Sequence, residues 1–353
     1  MSKYFSERYT ALKPYVPGEQ PQDRQYVKLN TNESPFPPCA EAIEYAQAHA
    51  RSYELYSDPE AMELRRALAE RYQVAPENVM VSSGSDEMLN FAFVAFGSDA
   101  RPALFPDITY GFYKVYANVN RIPFTEIPLE DDLTIRLDRY AGRKAVIFLA
   151  NPNAPTGIFL PPEEIERLAQ RSSDSVIVVD EAYVDFGGES CIPLTKRYGN
   201  ILVIQTFSKS RSLAGARLAF CVGNPQLIND LQTIRYSLNP YNVNSFTQAL
   251  GIGILRDEET VRKNCRTIIE NRAYLTEQLK ALGFVCTDSM ANFVFARHLR
   301  VNGGALYQML KDRGVLVRHF EQSRIRQYNR ITVGTREQID RLIAEIRAIM
   351  DQL

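Results

Sequence analysis

The sequence predicts an α/β protein with a mostly parallel central sheet, a smaller α+β domain and an extended N-terminal arm. Three observations support this prediction: apolar runs alternate with helical patterns from residue 60 to 223, the pattern changes after Pro240, and the N-terminus is rich in proline. A length of 353 residues also favours two domains over one. We therefore expect an arm at residues 1–38, a large domain at 39–240 and a small domain at 241–353.

The arm is predicted from residues that do not easily form regular structure. Residues 1–38 are rich in Pro, Asn, Tyr and Gln. Pro35, Pro37 and Pro38 oppose a helix, because proline lacks a backbone N–H and restricts the residue before it. An extended segment of this kind needs a surface to lie on.

The large domain is predicted as strands and helices in alternation. Apolar runs predict strands at 79–81, 102–105, 145–150, 176–180, 201–205 and 218–222. Periodic patterns predict helices at 59–72, 86–96, 162–171 and 225–236. Strands that are apolar on both faces and separated by helices indicate a mostly parallel sheet, because helices then cover both of its faces.

After Pro240 the sequence favours long helices and short strands. Helices are predicted at 247–256, 258–282, 305–313 and 337–350. Short strands are predicted near 284–285, 293–295 and 330–333. This combination indicates a second, α+β domain, which we expect the long helix at 258–282 to join to the first.

Charge and cysteine content argue against several kinds of partner. The chain has 41 basic and 42 acidic side chains, so a net charge of −1 gives no reason to expect nucleic acid or an anionic membrane. The first ten residues lack the apolar segment of a signal peptide, and no long uncharged apolar run follows. Five scattered cysteines and three histidines form no metal motif. We expect reduced thiols, no bound metal, no membrane span and a cytoplasmic location.

Two polar motifs follow predicted strands. Residues 82–87 (SSGSDE) open a predicted helix, whose free backbone N–H groups and positive dipole end attract phosphate. Taken alone, this motif is better explained as an ordinary N-cap turn. Residues 151–157 (NPNAPTG) are also an ordinary turn when taken alone, because Asn, Pro and Gly are the usual turn residues.

Asp180 and Lys209 are the strongest candidates for chemistry. Asp180 ends an apolar strand, at the position where ligands of open α/β sheets bind. A carboxylate buried there needs a cationic partner, and a protonated pyridine nitrogen is such a partner. Lys209 follows the next strand, close to two hydroxyl residues and to Arg217, where its pKa would be depressed to suit imine chemistry. With Tyr183, these residues can hold pyridoxal 5'-phosphate (PLP) as a Schiff base.

The motifs together resemble those of the fold-type-I PLP-dependent aminotransferases, and within them the histidinol-phosphate aminotransferase family. The resemblance runs along nearly the whole chain. It rests on residues 14–18 (PYVPG), 28–35 (KLNTNESP), 56–59 (YSDP), 84–87 (GSDE), 110–111 (YG), 180–183 (DEAY), 208–209 (SK), 213–217 (LAGAR) and 330–334 (RITVG). It implies the fold-type-I architecture, a PLP cofactor and a homodimer with shared active sites.

The resemblance also implies a role for each matching residue. Lys209 carries the cofactor as a Schiff base, Asp180 pairs with its pyridine nitrogen and Tyr183 bonds its ring O3'. Tyr110 stacks on the ring, and Tyr56 reaches the cofactor phosphate of the neighbouring subunit. The residues implied around the phosphate of the same subunit are Ser85, Asp86, Thr206, Ser208 and Arg217. The residues implied to contact substrate are Tyr15, Asn32, Arg318 and Arg330.

One position departs from the family pattern. The superfamily usually has Asn immediately before Pro-Thr-Gly, where it bonds the cofactor O3', but this chain has Ala154. Either Asn153 takes over after a one-residue shift of the loop, or Tyr183 bonds O3' largely alone. Asn153 is therefore a candidate cofactor contact.

The activity implied by the resemblance is transamination between L-glutamate and imidazole-acetol phosphate, giving 2-oxoglutarate and L-histidinol phosphate in histidine biosynthesis. The guanidinium groups of Arg318 and Arg330 suit both the carboxylate and the phosphate of these substrates. Alternatives with the same fold are an enzyme similar to L-threonine-O-3-phosphate decarboxylase and a broad aromatic aminotransferase. A non-enzymatic PLP-binding regulator is disfavoured, because the lysine, aspartate, tyrosine and arginine of the catalytic set are all present.

Overall fold

The computed structural model describes residues 2–13, 15, 17–49 and 53–352. The arm motif at 14–18 lies partly outside these ranges, because residues 14 and 16 are not described. The arm is extended for most of its described length, with one short strand, β1 (Val27–Lys28).

A seven-stranded sheet lies at the centre of the fold. Its strands are β2 (Val79–Ser82), β3 (Ala103–Pro106), β4 (Phe124–Ile127), β5 (Val146–Ala150), β6 (Val176–Asp180), β7 (Ile201–Thr206) and β8 (Ala219–Gly223). Their order across the sheet is β2-β8-β7-β6-β5-β3-β4. The neighbouring strands β4, β3, β5, β6 and β7 all pair in parallel, whereas β8 is antiparallel to both β7 and β2. The prediction of a mostly parallel α/β sheet is confirmed.

The continuous apolar runs are explained by burial on both faces of this sheet. Every residue of β5, β6 and β7 is buried. Because successive side chains point to opposite faces, Ile177 and Val179 join one hydrophobic cluster while Val176 and Val178 join another. Helices pack on both faces, as expected for a parallel sheet.

The helices of this part of the chain are α1 (Ala40–His49), α2 (Met62–Tyr72), α3 (Gly84–Phe96), α4 (Phe112–Val119), α5 (Pro162–Gln170), α6 (Pro225–Leu238) and α7 (Ser245–Arg256). The helix predicted at 59–72 begins three residues later than expected. Asp58 accepts hydrogen bonds from the backbone N–H groups of Glu60 and Met62, and Ala61 has a φ of +46°, so this segment forms a turn. Two helices, α1 and α4, were not predicted.

A second, four-stranded antiparallel sheet has the order β12-β13-β10-β9. Its strands are β9 (Phe284–Cys286), β10 (Phe293–His298), β12 (Arg318–His319) and β13 (Tyr328–Thr332), while β11 (Val315–Leu316) pairs with β1 of the arm. The helices that follow α7 are α8 (Glu258–Ala281), α9 (Gly303–Asp312) and α10 (Arg336–Met350). Side chains of α8, α10 and β10 share one hydrophobic cluster.

The predicted boundary between domains at residue 240 stays a prediction. Helix α7 packs against α1 and α2, and Leu250 and Ile254 belong to the cluster beside the seven-stranded sheet. A boundary after α7 fits this packing better than one before it. In the described residues no helix is both long and apolar enough to span a membrane.

Candidate active site

The topology brings several strand ends to one edge of the seven-stranded sheet. β5, β6 and β7 are parallel, so their carboxyl ends lie together. β8 runs the opposite way, so its amino end, just after Arg217, lies at the same edge. β2 is antiparallel to β8 and therefore ends there too, just before helix α3.

A cavity occupies this edge. The residues that line it are Ser85, Asp86, Tyr110, Ala150, Ala154, Asp180, Ala182, Tyr183, Thr206, Ser208, Lys209 and Arg217. Nine of the predicted cofactor contacts are among them. Asn153 and Tyr56 are predicted contacts that do not line the cavity.

Lys209 lies three residues beyond β7 and turns its amine towards the arm. Its Nζ donates a hydrogen bond to the backbone carbonyl of Thr31 at 3.3 Å. The pKa of Lys209 is lowered to about 8, first because burial disfavours the charged amine and next because Arg330 carries a nearby positive charge. A much larger share of this amine is therefore neutral and nucleophilic near neutral pH than for an ordinary lysine.

Asp180 is the last residue of β6 and is 5% exposed. It accepts hydrogen bonds from the Tyr113 hydroxyl at 2.8 Å and from the Ala182 backbone N–H at 3.3 Å, both neutral donors. Burial raises its pKa to about 6, although the bond from Tyr113 acts in the opposite direction. A cation in the cavity would relieve the unfavourable burial of this carboxylate.

Arg217 and the start of α3 form the other end of the cavity. Its guanidinium donates to Asp86 at 3.1 Å and to the Ser208 hydroxyl at 3.4 Å. Thr206 donates to the same hydroxyl at 3.0 Å. Gly84 has a φ of +81°, and a Cβ there would lie 2.5 Å from an Arg217 nitrogen, so glycine is needed for the guanidinium to lie over the helix start. Cation, hydroxyls and free N–H groups together suit a phosphate.

Tyr183 and Tyr110 both line the cavity. Tyr183 is 8% exposed, and its hydroxyl accepts a hydrogen bond from Asn32 Nδ2 at 3.0 Å. Tyr110 donates its hydroxyl proton to Asp86 at 2.6 Å, and burial raises the pKa of Tyr110 well above its ordinary value. The bond to Asp86 fixes the position of the Tyr110 ring at the cavity wall.

The Asn153 side chain makes several hydrogen bonds to neighbouring backbone and side chains. It accepts a hydrogen bond from Thr109 at 2.8 Å and donates to the Ile108 carbonyl at 3.0 Å and to Thr156 at 3.1 Å. These bonds hold the loop in place, and Ala154 lines the cavity whereas Asn153 does not. The geometry therefore favours the alternative in which Tyr183 meets the cofactor oxygen.

Among the predicted substrate contacts, Arg318 and Arg330 lie directly opposite one another on β12 and β13. Arg330 donates to the Asn30 carbonyl at 3.1 Å, and its Nε is buried with no hydrogen bond to the described residues. Arg318 donates to the Pro17 carbonyl at 3.1 Å. Two guanidinium groups from facing positions of neighbouring strands, one of them close enough to lower the pKa of Lys209, can grip an anion.

Tyr15, Asn32 and Tyr56 complete the predicted set. Tyr15 stacks on Phe112 with ring centroids 4.2 Å apart, so the arm lies on the start of α4. Asn32 is 1% exposed and donates a hydrogen bond to Tyr183, and its predicted contact with substrate stays a prediction. Tyr56 is 82% exposed and stacks on Tyr241 with centroids 4.5 Å apart, outside the cavity.

Sequence reasoning missed Tyr113. It is fully buried on α4 and reaches Asp180 across 67 positions of sequence. Tyr110 lies just before α4, and the Tyr113 backbone N–H donates to its carbonyl, so the short spacing of the two tyrosines was a signal that could have suggested a common site.

Comparisons with known proteins identify the family of the chain. The family profile for aminotransferase class I and II matches residues 24–346. A relative named histidinol-phosphate aminotransferase, from Aromatoleum aromaticum, is 46% identical over 355 residues, which cover 99% of this chain and 100% of the relative. The match with this relative extends over nearly the whole chain.

Solved structures add evidence on the fold. The histidinol-phosphate aminotransferase from Sinorhizobium meliloti, solved with pyridoxal-5'-phosphate, superposes with a TM-score of 0.87 at 22% identity and covers 99% of both chains. The L-threonine-O-3-phosphate decarboxylase from Porphyromonas gingivalis superposes with a TM-score of 0.80 at 21% identity, covering 92% of this chain and 99% of that one. The shared fold alone does not distinguish these two reactions.

Proposed function

The chain belongs to the class I and II aminotransferases, and we propose that it transfers the amino group of L-glutamate to imidazole-acetol phosphate. The products are 2-oxoglutarate and L-histidinol phosphate, a step of histidine biosynthesis. The observation that carries the proposal is that Lys209, Asp180 and Arg217 line one cavity, so an amine, a buried acid and a phosphate-binding cation face the same space.

Pyridoxal 5'-phosphate fits this cavity at three points. The lysine amine suits its aldehyde, the buried Asp180 suits its ring nitrogen, and Arg217 with the start of α3 suits its phosphate. When bound, PLP supplies an electron sink for the electrons left behind when the substrate loses its α-proton.

The residues of the chain then have separate tasks. Lys209 would hold the cofactor covalently, and its amine, when free, would move the substrate's α-proton as general base and acid. Its lowered pKa, about 8, keeps a useful fraction of the amine unprotonated. Asp180 keeps a proton on the ring nitrogen, and the Tyr183 hydroxyl donates to the cofactor O3'. Tyr110, which lines the cavity, would stack on the ring.

Arg318 and Arg330 receive the anionic end of each substrate. A planar guanidinium accommodates either a carboxylate or a phosphate through paired N–H donors, which explains how one site serves both glutamate and a phosphate ester. The buried, unbonded Nε of Arg330 supports this role, since a buried donor normally has an acceptor. Tyr15 covers the site as part of the arm.

The functional unit that we propose is a homodimer in which Tyr56 reaches the cofactor phosphate of the neighbouring subunit. Its high exposure supports this, together with the exposed Tyr53, Leu55 and Tyr241 beside it in sequence or in space. We also propose a cytoplasmic location, supported by five free cysteines among the described residues. Sedimentation of the purified protein tests the dimer, and Tyr56→Phe should lower cofactor retention if the sites are shared.

Reduction with borohydride tests the cofactor site. The purified protein should be yellow, and reduction should attach the cofactor irreversibly to Lys209, as read from peptide mass spectrometry. Attachment to a different lysine would remove the basis of the proposal.

Substrate assays test the reaction. L-glutamate should shift the cofactor absorbance, and imidazole-acetol phosphate should restore it much better than phenylpyruvate. Release of carbon dioxide from an amino-acid phosphate would instead indicate decarboxylation, and equal use of phenylpyruvate would indicate a broad aromatic aminotransferase.

A further inference from the structure

Asn32 is a buried residue whose polar atoms all have partners. Its backbone N–H donates to Thr332 Oγ1 at 3.0 Å, and its carbonyl accepts from Asn292 Nδ2 at 3.0 Å. Its side-chain Oδ1 accepts from Thr332 and its Nδ2 donates to the Tyr183 hydroxyl, both at 3.0 Å. The φ of +56° is a conformation that asparagine tolerates better than most residues. The residue is therefore held firmly behind Tyr183.

The direction of these bonds follows from Thr332. Its hydroxyl oxygen receives the backbone N–H of Asn32, and its hydroxyl proton goes to Asn32 Oδ1. With Oδ1 occupied in this way, the amide turns its NH2 group towards Tyr183. The Tyr183 oxygen accepts that bond, so its own proton is free to point elsewhere. Tyr183 lines the cavity, and the cavity is where an acceptor would meet that proton.

We propose that Asn32 is a positioning residue that makes the Tyr183 hydroxyl a hydrogen-bond donor towards the phenolic oxygen of the bound cofactor. The inference rests on the proposed PLP site and assigns Asn32 no contact with substrate. It has a particular consequence in this chain, because Ala154 has no amide and the Asn153 side chain is committed to its own loop.

The hydrogen bond between Asn32 and Tyr183 connects the arm to the proposed cofactor site. Asn32 and Thr332 connect the arm to β13, two residues from Arg330, and the neighbouring Thr31 carbonyl accepts from Lys209. The direction in which the Tyr183 hydroxyl donates its proton is thus set by a segment far away in sequence. Loss of the Asn32 amide should change the cofactor's proton affinity without removing any group that touches the cofactor.

The test is a pH titration of the absorbance of the cofactor-loaded protein. A donor to the phenolic oxygen stabilises its anion, so removing the donor raises the pH at which the spectrum changes. Asn32→Asp reverses the bond, since a carboxylate accepts the Tyr183 proton, and should raise the midpoint by about one pH unit or more, a tenfold change in proton affinity. Asn32→Gly suits the positive φ, removes the amide without adding charge and should raise the midpoint less.

Two controls separate this role from a general effect of charge or packing. Asn30→Asp puts the same charge two residues away, where the wild-type amide donates to the Glu19 carbonyl and does not reach Tyr183. It should move the midpoint far less than Asn32→Asp. In a Tyr183→Phe background, Asn32→Gly should cause no further shift.

The outcomes distinguish the inference from the proposed function. A wild-type protein that shows no cofactor absorbance ends the proposed function itself. If the wild-type protein titrates normally, two results would overturn the role of Asn32. One is that neither Asn32→Asp nor Asn32→Gly shifts the midpoint. The other is that Asn32→Gly still shifts the midpoint in a Tyr183→Phe background. If Asn32→Asp does not fold, the Asn32→Gly comparison decides alone.

Discussion

At one end of the cavity the carboxylate of Asp180 is buried and accepts hydrogen bonds from neutral donors, whereas at the other end Arg217 and Asp86 form an ion pair open to solvent. The side chains of that pair are 45% and 34% exposed, while Asp180 is 5% exposed and accepts its bond from the neutral Tyr113. Lys209 is close enough to influence the pKa of Asp180, but among the described residues no cationic side chain donates a hydrogen bond to its carboxylate, so a cation bound in the cavity would stabilise it. The open end already balances its own charges.

This difference suggests that the two ends do different work. Burial strengthens electrostatic interactions, so a group that must influence electrons in the transition state benefits from the dry end. A phosphate only has to be held, and an exposed, salt-sensitive cation with helix N–H groups is sufficient for that. Substitutions at the buried end should therefore reduce turnover, and those at the open end should change cofactor affinity.

The largest expected effect is that of Asp180→Asn. The amide keeps the size of the side chain but removes the charge that holds a proton on the ring nitrogen, so kcat should fall on the order of 10²- to 10³-fold. Steady-state rates with L-glutamate measure it. Glu181→Gln is the matched control, because Glu181 is equally buried but bonds to Ser190, Cys191 and Gln205 away from the cavity. An equal loss in both variants would contradict the special role of Asp180.

Arg217→Gln should act mainly on cofactor affinity. Loss of a charged hydrogen bond to phosphate amounts to about 1.5–3 kcal/mol, or roughly 10- to 150-fold in the Kd of PLP. Fluorescence titration of the apo-protein measures this, and the wild-type Kd should rise with ionic strength more steeply than that of the variant. A fall in kcat at saturating PLP, with an unchanged Kd, would break the proposed division between the two ends.

Much of this comparison could be anticipated from sequence. Asp180 and Lys209 were predicted because Asp180 ends one apolar strand and Lys209 follows the next, and parallel strands bring such ends together. Arg217 instead precedes β8, which reaches the same edge because it is antiparallel to β7. The secondary-structure elements that were not predicted gave weak signals in the sequence. Edge strand β4 is only partly buried. Helix α1 buries only two alanines, Ala42 and Ala46. It packs so closely on α7 that a Cβ on Gly253 would lie 2.5 Å from the Ala42 backbone. Small residues of this kind produce little hydrophobic periodicity.

The second layer of the site could not be predicted in this way. Tyr113 and Asp180 are 67 positions apart, and Asn32 and Tyr183 are 151 apart. Such contacts depend on how the arm and helix α4 pack on the sheet, which no local pattern specifies. The turn of the Asn153 amide into its own loop likewise depends on Thr109, which belongs to a distant segment.

Tyr113→Phe should have a smaller effect, which is on the pH dependence of PLP binding at the buried end. The pKa of Asp180 is about 6 and the Tyr113 bond holds it down, so the variant should have a higher pKa. As pH falls through this value the carboxylate gains a proton and loses its attraction for the ring cation. PLP affinity should therefore weaken from a higher pH in Tyr113→Phe than in wild type. Asp180→Asn, which keeps the phosphate titration but lacks this carboxylate, is the control; identical pH profiles for wild type and Tyr113→Phe would contradict the argument.

The smallest expected effect, and the one of opposite sign, is that of Asp86→Asn. Asp86 pairs with Arg217 where the cofactor phosphate is proposed to bind, so its charge opposes the phosphate while its exposed ion pair contributes little. The amide oxygen can still accept the proton of Tyr110. PLP affinity should rise by less than about fivefold, corresponding to at most about 1 kcal/mol. A weaker affinity would mean that the ion pair orients Arg217 for the phosphate, and the open end would then be as preorganised as the buried one.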